Sequence, residues 1–265
     1  MALSKPYHRT HRAFIKKPNS GHSSVAYITG DDYSQDPGLY LRSFELIASD
    51  LQTLFEYIEP SDEALSTFSF RIHELLVRTC IEIEANFKAI LRENKFSKAG
   101  NWNISDYRKI DFSHHLSSYK VQLPIWRNGP KIFAPFESWH AFRNIRNHDG
   151  KATLTWYQAY NASKHDRHSE FPSSNFENLL NAVSGLAVLL SAQFNTGNLT
   201  GGGALVSGPD IPSDFDDAEW GPFRLCYPND WEENEKYDFN WAELKKEENR
   251  YEKFNYDLVW SNPSA

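Results

Sequence analysis

The sequence predicts a mainly α-helical protein whose core is an antiparallel helical bundle. Apolar residues recur every three or four positions over 39–58, 62–93 and 176–194, which is the spacing of helices that bury one face. Long amphipathic helices joined by short loops favour antiparallel packing. With 265 residues, of which 40% are hydrophobic and 15% aromatic, the chain is long enough for one such domain with substantial extensions.

Residues 1–38 are expected to form an irregular N-terminal extension with short strands. A Pro-Asn-Ser-Gly turn signal at 18–21 precedes the segment Val25–Ile28, whose composition is typical of a strand. We therefore expect a short hairpin here, before the helical bundle domain that we assign to residues 39–195.

The first two helices are predicted over 39–58 and 62–93. Pro60 separates them, and Ser61 is expected to cap the second helix. The second helix has the longer apolar stripe, which consists of Phe68, Ile72, Leu76, Thr79, Ile83, Phe87 and Ile90.

The segment 95–135 is less periodic, and we interpret it as an insertion that packs over the bundle. Its Pro and Gly residues indicate loops, with one helical turn near 105–110. A short helix is expected over 136–148, followed by a longer one over 154–168.

The last predicted helix extends to Phe194. Ser174 and Glu177 have the spacing of a capping box at its start. Gly185 lies in its middle, where a glycine lowers helix stability, so we expect a close helix crossing there.

Residues 196–265 are expected to form a Gly-rich linker and an acidic, aromatic C-terminal arm. Residues 211–260 carry 14 acidic and 6 basic side chains, within a chain of net charge -7. This charge argues against general coating of nucleic acid, but it is compatible with a local phosphate site.

The sequence offers no motif for a metal, a cofactor or a membrane span. The two cysteines, Cys80 and Cys226, lie in no zinc or disulfide pattern. No run of about 18 apolar residues occurs, and the basic N-terminus has no apolar core typical of a secretory signal. We expect a cytoplasmic protein without metal or cofactor.

The first candidate site is the segment Arg143-Asn144-Ile145-Arg146-Asn147-His148. A guanidinium grips phosphate through parallel hydrogen bonds, and an imidazole exchanges protons near neutral pH. The pattern of an Arg, a polar residue and a His five positions after the Arg resembles the active-site signature of HEPN-superfamily ribonucleases, which are small helical bundles. That resemblance implies catalytic roles for Arg143 and His148, with Asn144 binding substrate. The alternative is a surface helix end with solvated side chains.

The second candidate site is the segment 156–167. On a helix, Asn161 and His165 lie one turn apart, with Lys164 beside them. The W-x3-YN-x2-KH-x-R pattern is similar to that of an uncharacterised group of bacterial, HEPN-like proteins, as are the runs 70–88 and 133–139. We assign catalytic roles to His165 and Arg167, and substrate-binding roles to Tyr160, Asn161 and Lys164.

Two residues of the second predicted helix are expected to support this site. Glu84 and Lys88 flank its apolar stripe, so they can face the helix that carries Lys164 and His165. A carboxylate there can orient the imidazole of His165. The alternative for Glu84 and Lys88 is a plain intrahelical ion pair. The alternative for the segment 156–167 is a structural polar network, in which Asn161 and His165 bond across the bundle and Lys164 and Arg167 pair with Glu82 or Glu84.

The leading functional hypothesis is a metal-independent, HEPN-like endoribonuclease. By the resemblance it would act as a homodimer on RNA, in bacterial phage defence or toxin-like regulation. One alternative is a non-catalytic interaction module that binds a protein partner through the acidic aromatic C-terminal region. Another is a nucleotide sensor, in which Tyr160 stacks a base and Lys164 and Arg167 hold phosphate.

Overall fold

A computed structural model describes residues 1–15, 25–29, 32–147, 149–195, 204–208, 216–217 and 221–261. The protein is mainly helical, as predicted. The helices are α1 (Pro37–Phe55), α2 (Phe70–Glu93), α3 (Ile104–Tyr107), α4 (Ile110–His114), α5 (Thr155–His165), α6 (Arg167–Glu170), α7 (Phe176–Phe194) and α8 (Trp241–Leu244). The strands are β1 (Val25–Thr29), β2 (Lys120–Leu123), β3 (Lys131–Phe133), β4 (Ala204–Gly208), β5 (Asp216–Asp217) and β6 (Arg224–Cys226).

Helix α7 forms the centre of the molecule and packs against α1, α2 and α5. Nearly all of its residues are buried, including the polar residues Ser184, Ser191 and Gln193. A helix that is apolar around most of its circumference requires neighbours on every side, and these three helices supply them. None of the helices in the described part of the chain is long and apolar enough to cross a membrane.

Helix α2 begins later than the periodicity predicts. The chain makes a single turn of 3-10 helix at Asp62–Ala64, and α2 then begins at Phe70 because the side chain of Ser69 accepts a hydrogen bond from the backbone of Ile72 at 3.2 Å. Phe68, which the stripe placed in the core, is 46% exposed, and Ser61 makes no side-chain cap.

The predicted helix over 154–168 is divided in two at Asp166. The side chain of Asp166 accepts a hydrogen bond from the backbone of Ser169 at 3.3 Å, so it caps α6 and ends α5. His165 and Arg167 therefore lie on different helices, on either side of a break in the backbone.

The predicted capping box of α7 is wrong by one residue. The N-cap is Asn175, whose side chain accepts from the backbone of Asn178 at 3.0 Å. Ser174 is buried instead, with its hydroxyl 3.0 Å from Nδ1 of His73. Glu177 is exposed in the first turn, where a carboxylate is favourable next to the helix N-terminus.

The close crossing expected at Gly185 is confirmed. An added Cβ there would lie 3.5 Å from the rings of Phe136 and Trp156 and 3.6 Å from Pro135. Trp156 belongs to α5, so the glycine lets α5 and the preceding loop approach the middle of α7.

The segment 95–135 contains more regular structure than expected. It holds α3, α4, β2 and β3, and its strands join a sheet of order β3-β2-β6-β5 in which all pairs are antiparallel. The helix predicted over 136–148 is a 3-10 helix limited to Glu137–Phe142.

The strand of the predicted N-terminal hairpin is present, and among the described residues its partner is β4 rather than a neighbouring segment. β1 pairs antiparallel with β4, with Val25 opposite Gly208 and Thr29 opposite Ala204. The partner strand therefore comes from far along the chain, where no local turn signal can indicate it.

The first 15 residues are anchored in the fold rather than lying outside it. Arg9 and Arg12 are buried, and Arg9 bonds to Glu93 at 2.6 Å and to Gln193 at 2.7 Å. Backbone bonds join Leu3 to Lys236 at 2.9 Å, so the N-terminal segment packs directly against the C-terminal residues.

Candidate functional site

The junction of α5 and α6 presents a dense group of exposed polar side chains. Lys164, His165, Asp166, Arg167 and His168 are consecutive and all exposed. The carboxylate of Asp166 is engaged by the backbone and hydroxyl of Ser169. The two imidazoles and two cations therefore face solvent and are accessible to a ligand, which is not the arrangement of an interior polar network. His168 was not among the predicted site residues, although its proximity to His165 in sequence could have identified it.

Lys164 is held by the tyrosine one turn before it. Its ammonium donates a hydrogen bond to the Tyr160 hydroxyl at 3.2 Å, and this bond raises the pKa of Lys164. Burial raises the pKa of Tyr160, whose ring is only 1% exposed. Tyr160 positions Lys164, but its buried ring is unavailable to stack on a base, so the nucleotide sensor loses its proposed stacking residue.

Glu84 faces α5, as the helical spacing predicts, and Lys88 pairs with Glu84 on the same helix. Glu84 accepts a hydrogen bond from the Tyr157 hydroxyl at 3.0 Å and from Lys88 at 3.2 Å. Burial and the adjacent Glu84 both raise the pKa of Tyr157. Glu84 thus fixes α5 through Tyr157 and contributes negative charge near Lys164.

The interior polar network considered for residues 156–167 is not formed by the residues that the structure describes. Neither Asn161 nor His165 makes a side-chain hydrogen bond to the part of the chain that the structure describes. Within the same residues, Lys164 and Arg167 form no ion pair with Glu82 or Glu84. The guanidinium of Arg167 lies instead over the ring of Phe70, 5.8 Å from its centroid.

An exposed aromatic group adjoins the junction. Phe70 is 60% exposed, and its ring centroid lies 4.8 Å from that of Phe171. Phe70, Arg167, Val77 and Ile81 line a shallow basin of about 320 Å³. An open apolar ring next to cationic side chains is a typical platform for an unpaired nucleobase.

Arg143 is committed to a structural network. Its guanidinium donates to Asp111 at 3.3 Å, to Asp230 at 3.1 Å, to Ser117 at 3.0 Å and to Ser118 at 2.6 Å. Asp111 is fully buried, so this arginine neutralises a carboxylate inside the fold. The phosphate grip predicted for Arg143 would require these bonds to break. Asn144 is exposed, and His148 lies outside the described residues.

The same network contains a buried imidazole, that of His115, which was not among the predicted site residues. His115 donates from Nδ1 to Asp230 at 3.1 Å and stacks on Trp231 with ring centroids 3.7 Å apart. Asp230 has a pKa held well below its usual range, because hydrogen bonds from His115 and Ser118 and the charge of Arg143 outweigh the effect of burial. These groups connect 111–118 to the C-terminal region.

Five large aromatic residues of the C-terminal region are in the core. Tyr227, Trp231, Tyr237, Trp241 and Tyr256 are all at most 9% exposed. An interaction module was expected to expose them, so in this structure that region offers a partner its carboxylates but not these rings.

Two further features bear on ligands. A cleft of about 790 Å³ lies between the end of α1 and the start of α2 and contains none of the predicted site residues. The residues that the structure describes contain no group of three His, Cys, Asp or Glu side chains suited to hold a metal ion.

The comparisons with known proteins add no assignment to this geometry. No family model, no curated protein and no solved structure matches the chain. The functional conclusion therefore depends on the side chains of the α5–α6 junction and their surroundings.

Proposed function

We propose that the protein is a metal-independent endoribonuclease whose active site is the α5–α6 junction. The observation that carries this proposal is the simultaneous exposure of Lys164, His165, Arg167 and His168 beside the open ring of Phe70. The resemblance of the sequence to HEPN-like helical proteins is consistent with it and belongs to the same proposal, as does the homodimer which that resemblance implies.

The chemistry needs a base, an acid and a cationic phosphate site. One imidazole removes the proton from a ribose 2′-hydroxyl, whose oxygen attacks the adjacent phosphorus. The other imidazole protonates the departing 5′-oxygen, giving a 2′,3′-cyclic phosphate and a 5′-hydroxyl. Lys164 and Arg167 balance the negative charge that builds on the phosphate, and Phe70 stacks an unpaired base.

The test is cleavage of total RNA and tRNA in EDTA by the wild type and by His165→Ala. We expect the wild type to leave 2′,3′-cyclic phosphate ends and the variant to lose about a hundredfold or more in rate, since one acid–base group contributes that much. His168→Ala and Arg167→Gln should also be impaired.

His140→Ala is the matched control, because His140 is an exposed imidazole outside the junction. His148→Ala tests the competing motif. Absence of cleavage by the wild type at every protein concentration, or full activity in His165→Ala, would refute the proposal. Loss of activity in His148→Ala alone would place the site in the 143–148 segment instead.

A further inference from the structure

A second, separate cleft is lined by charged groups that the ribonuclease proposal does not use. It has a volume of about 450 Å³ and lies where residues 98–109 meet Arg146 and the C-terminal segment 257–261. Its charged lining consists of Lys98, Arg108, Lys109, Arg146, Asp106 and Asp257. Four cations therefore face two carboxylates.

Both carboxylates are already occupied by local partners. Asp106 accepts from Lys98 at 2.7 and 2.8 Å and from the backbone of Asn103 at 2.9 Å. Asp257 accepts from the backbone of Ser97 at 2.9 and 3.2 Å. Lys98 and Asp106 neutralise each other, which leaves Arg108, Lys109 and Arg146 with Asp257 as the one further carboxylate of the lining.

Two of the remaining cations, Lys109 and Arg108, donate hydrogen bonds to neutral acceptors. Lys109 donates to the carbonyl of Tyr256 at 2.9 Å, and Arg108 donates to the carbonyls of Phe142 at 2.7 Å and Arg146 at 2.8 Å. Among the described residues, neither cation forms an ion pair. Carbonyl groups fix the position of these side chains without cancelling their charge.

Two observations show that these cations are not fully satisfied within the fold. Burial lowers the pKa of Lys109, and the carboxylates of Asp257 and Asp106 offset this only in part, while Arg146 and Lys98 add to it. The Nε of Arg108, a residue only 3% exposed, is buried without a hydrogen-bond partner.

Arg146 is the guanidinium of the 143–148 segment that a ligand can reach. It is exposed, and its side chain makes no hydrogen bond within the described part of the chain. Trp260 forms a fixed wall beside it, with its indole 4.2 Å from Cζ of Arg108 and its Nε1 donating to the carbonyl of Arg143 at 2.9 Å. The cleft therefore combines one available guanidinium with a rigid, positively charged surround.

We propose that this cleft binds a phosphate monoester group, which Arg146 grips and which Lys109 and Arg108 attract. A planar guanidinium binds two phosphate oxygens at once, and a dianion offsets two of the unpaired cations. The same chemistry is present in a free nucleotide and at the 5′-phosphorylated end of an RNA chain.

The test is calorimetric titration of the full chain with inorganic phosphate, at constant ionic strength and near-neutral pH. We expect saturable binding by the wild type and about tenfold weaker binding by Arg146→Gln, the effect of losing one charge-assisted contact. Arg42→Gln is the matched control, because Arg42 is an exposed arginine on α1, away from the cleft, and it should bind as the wild type does.

Two further probes distinguish the sources of the phosphate. Tighter binding of 5′-AMP than of inorganic phosphate would assign the cleft to a nucleotide, and preference for a 5′-phosphorylated over a 5′-hydroxyl RNA would assign it to an RNA end. Either result supports the site if Arg146→Gln weakens it. Absence of saturable phosphate binding by the wild type, or equal binding by Arg146→Gln and the wild type, would overturn the proposal.

Discussion

Arg143 illustrates how the same residue can be read as a catalyst or as a structural cation. Its partners Asp111, Ser117, Ser118 and Asp230 come from two distant parts of the chain. Their contribution is to stability, because Asp111 has no exposed surface and a buried carboxylate is costly without a cation beside it.

At the residue scale, we expect Arg143→Met to lower the free energy of unfolding by about 3 kcal/mol, since it leaves a buried carboxylate without its cation. Urea denaturation measures this change. Arg146→Met, three positions along, should change the free energy by less than about 0.5 kcal/mol because its side chain is exposed. Equal stability of Arg143→Met and the wild type would show that the network is not structural.

Single residues of the candidate site were only partly predictable from the sequence. The density of Lys, His and Arg over 164–167 indicated a polar group but left open whether it was exposed or interior, and helical spacing placed Glu84 on the face toward α5. The burial of Tyr160 and the network around Arg143 were missed, because both depend on contacts with residues far away in sequence.

Among the helices, α7 depends most on its neighbours, and its N-terminus is specified by one side chain. Asn175 caps it at the point where Ser174 turns into the core to meet His73. The sequence contains three polar residues in a row here, so spacing alone does not show which of them is the N-cap of α7.

At the element scale, Asn175→Ala should destabilise the protein by about 1 kcal/mol, since the amide of Asn178 loses its acceptor. Glu177→Gln is the control that separates this cap from the predicted capping box. It should lower the free energy of unfolding by well under about 1 kcal/mol. Thermal unfolding of both variants decides the matter. A larger loss from Glu177→Gln than from Asn175→Ala would restore the capping box.

Helices were more predictable than strands for a physical reason. An amphipathic helix carries its own periodic signal, which identified most of α1 and all of α2 and α7. The pairing of β1 with β4, and of β2 with β6, joins segments separated by about a hundred residues or more. Such pairing leaves no local pattern, so neither partner could be assigned.

Across the whole molecule, two buried histidines lie where the N-terminal segment enters the core. Nε2 of His114 donates to the carbonyl of Arg9 at 2.7 Å, and Nε2 of His11 is buried without a hydrogen-bond partner. Burial lowers the pKa of His11 to about 4 and that of His114 to about 3, from an ordinary value of 6.5. Both are therefore neutral in the folded protein at neutral pH.

We accordingly expect stability to fall as the pH drops from 6.5 toward about 4, because the unfolded chain binds protons that the folded protein excludes. Each histidine contributes a slope of up to about 1.4 kcal/mol per pH unit. Urea denaturation across this range should show a shallower slope for His11→Phe. His168→Phe, at an exposed position, should keep the wild-type slope, and an unchanged slope in His11→Phe would contradict the assignment.

The packing of the first 15 residues against residues 236–256 also has a consequence for synthesis on the ribosome. The N-terminal segment finds its backbone partners, Lys236 and Glu252, only when residues 236–252 have left the exit tunnel. Until then α7 can pack against α1, α2 and α5, but the surfaces that Arg9 and Arg12 cover in the folded protein remain exposed. The nascent chain therefore cannot complete this part of the fold before residues 236–252 emerge, and until then its unfinished surfaces are exposed to chaperones and proteases.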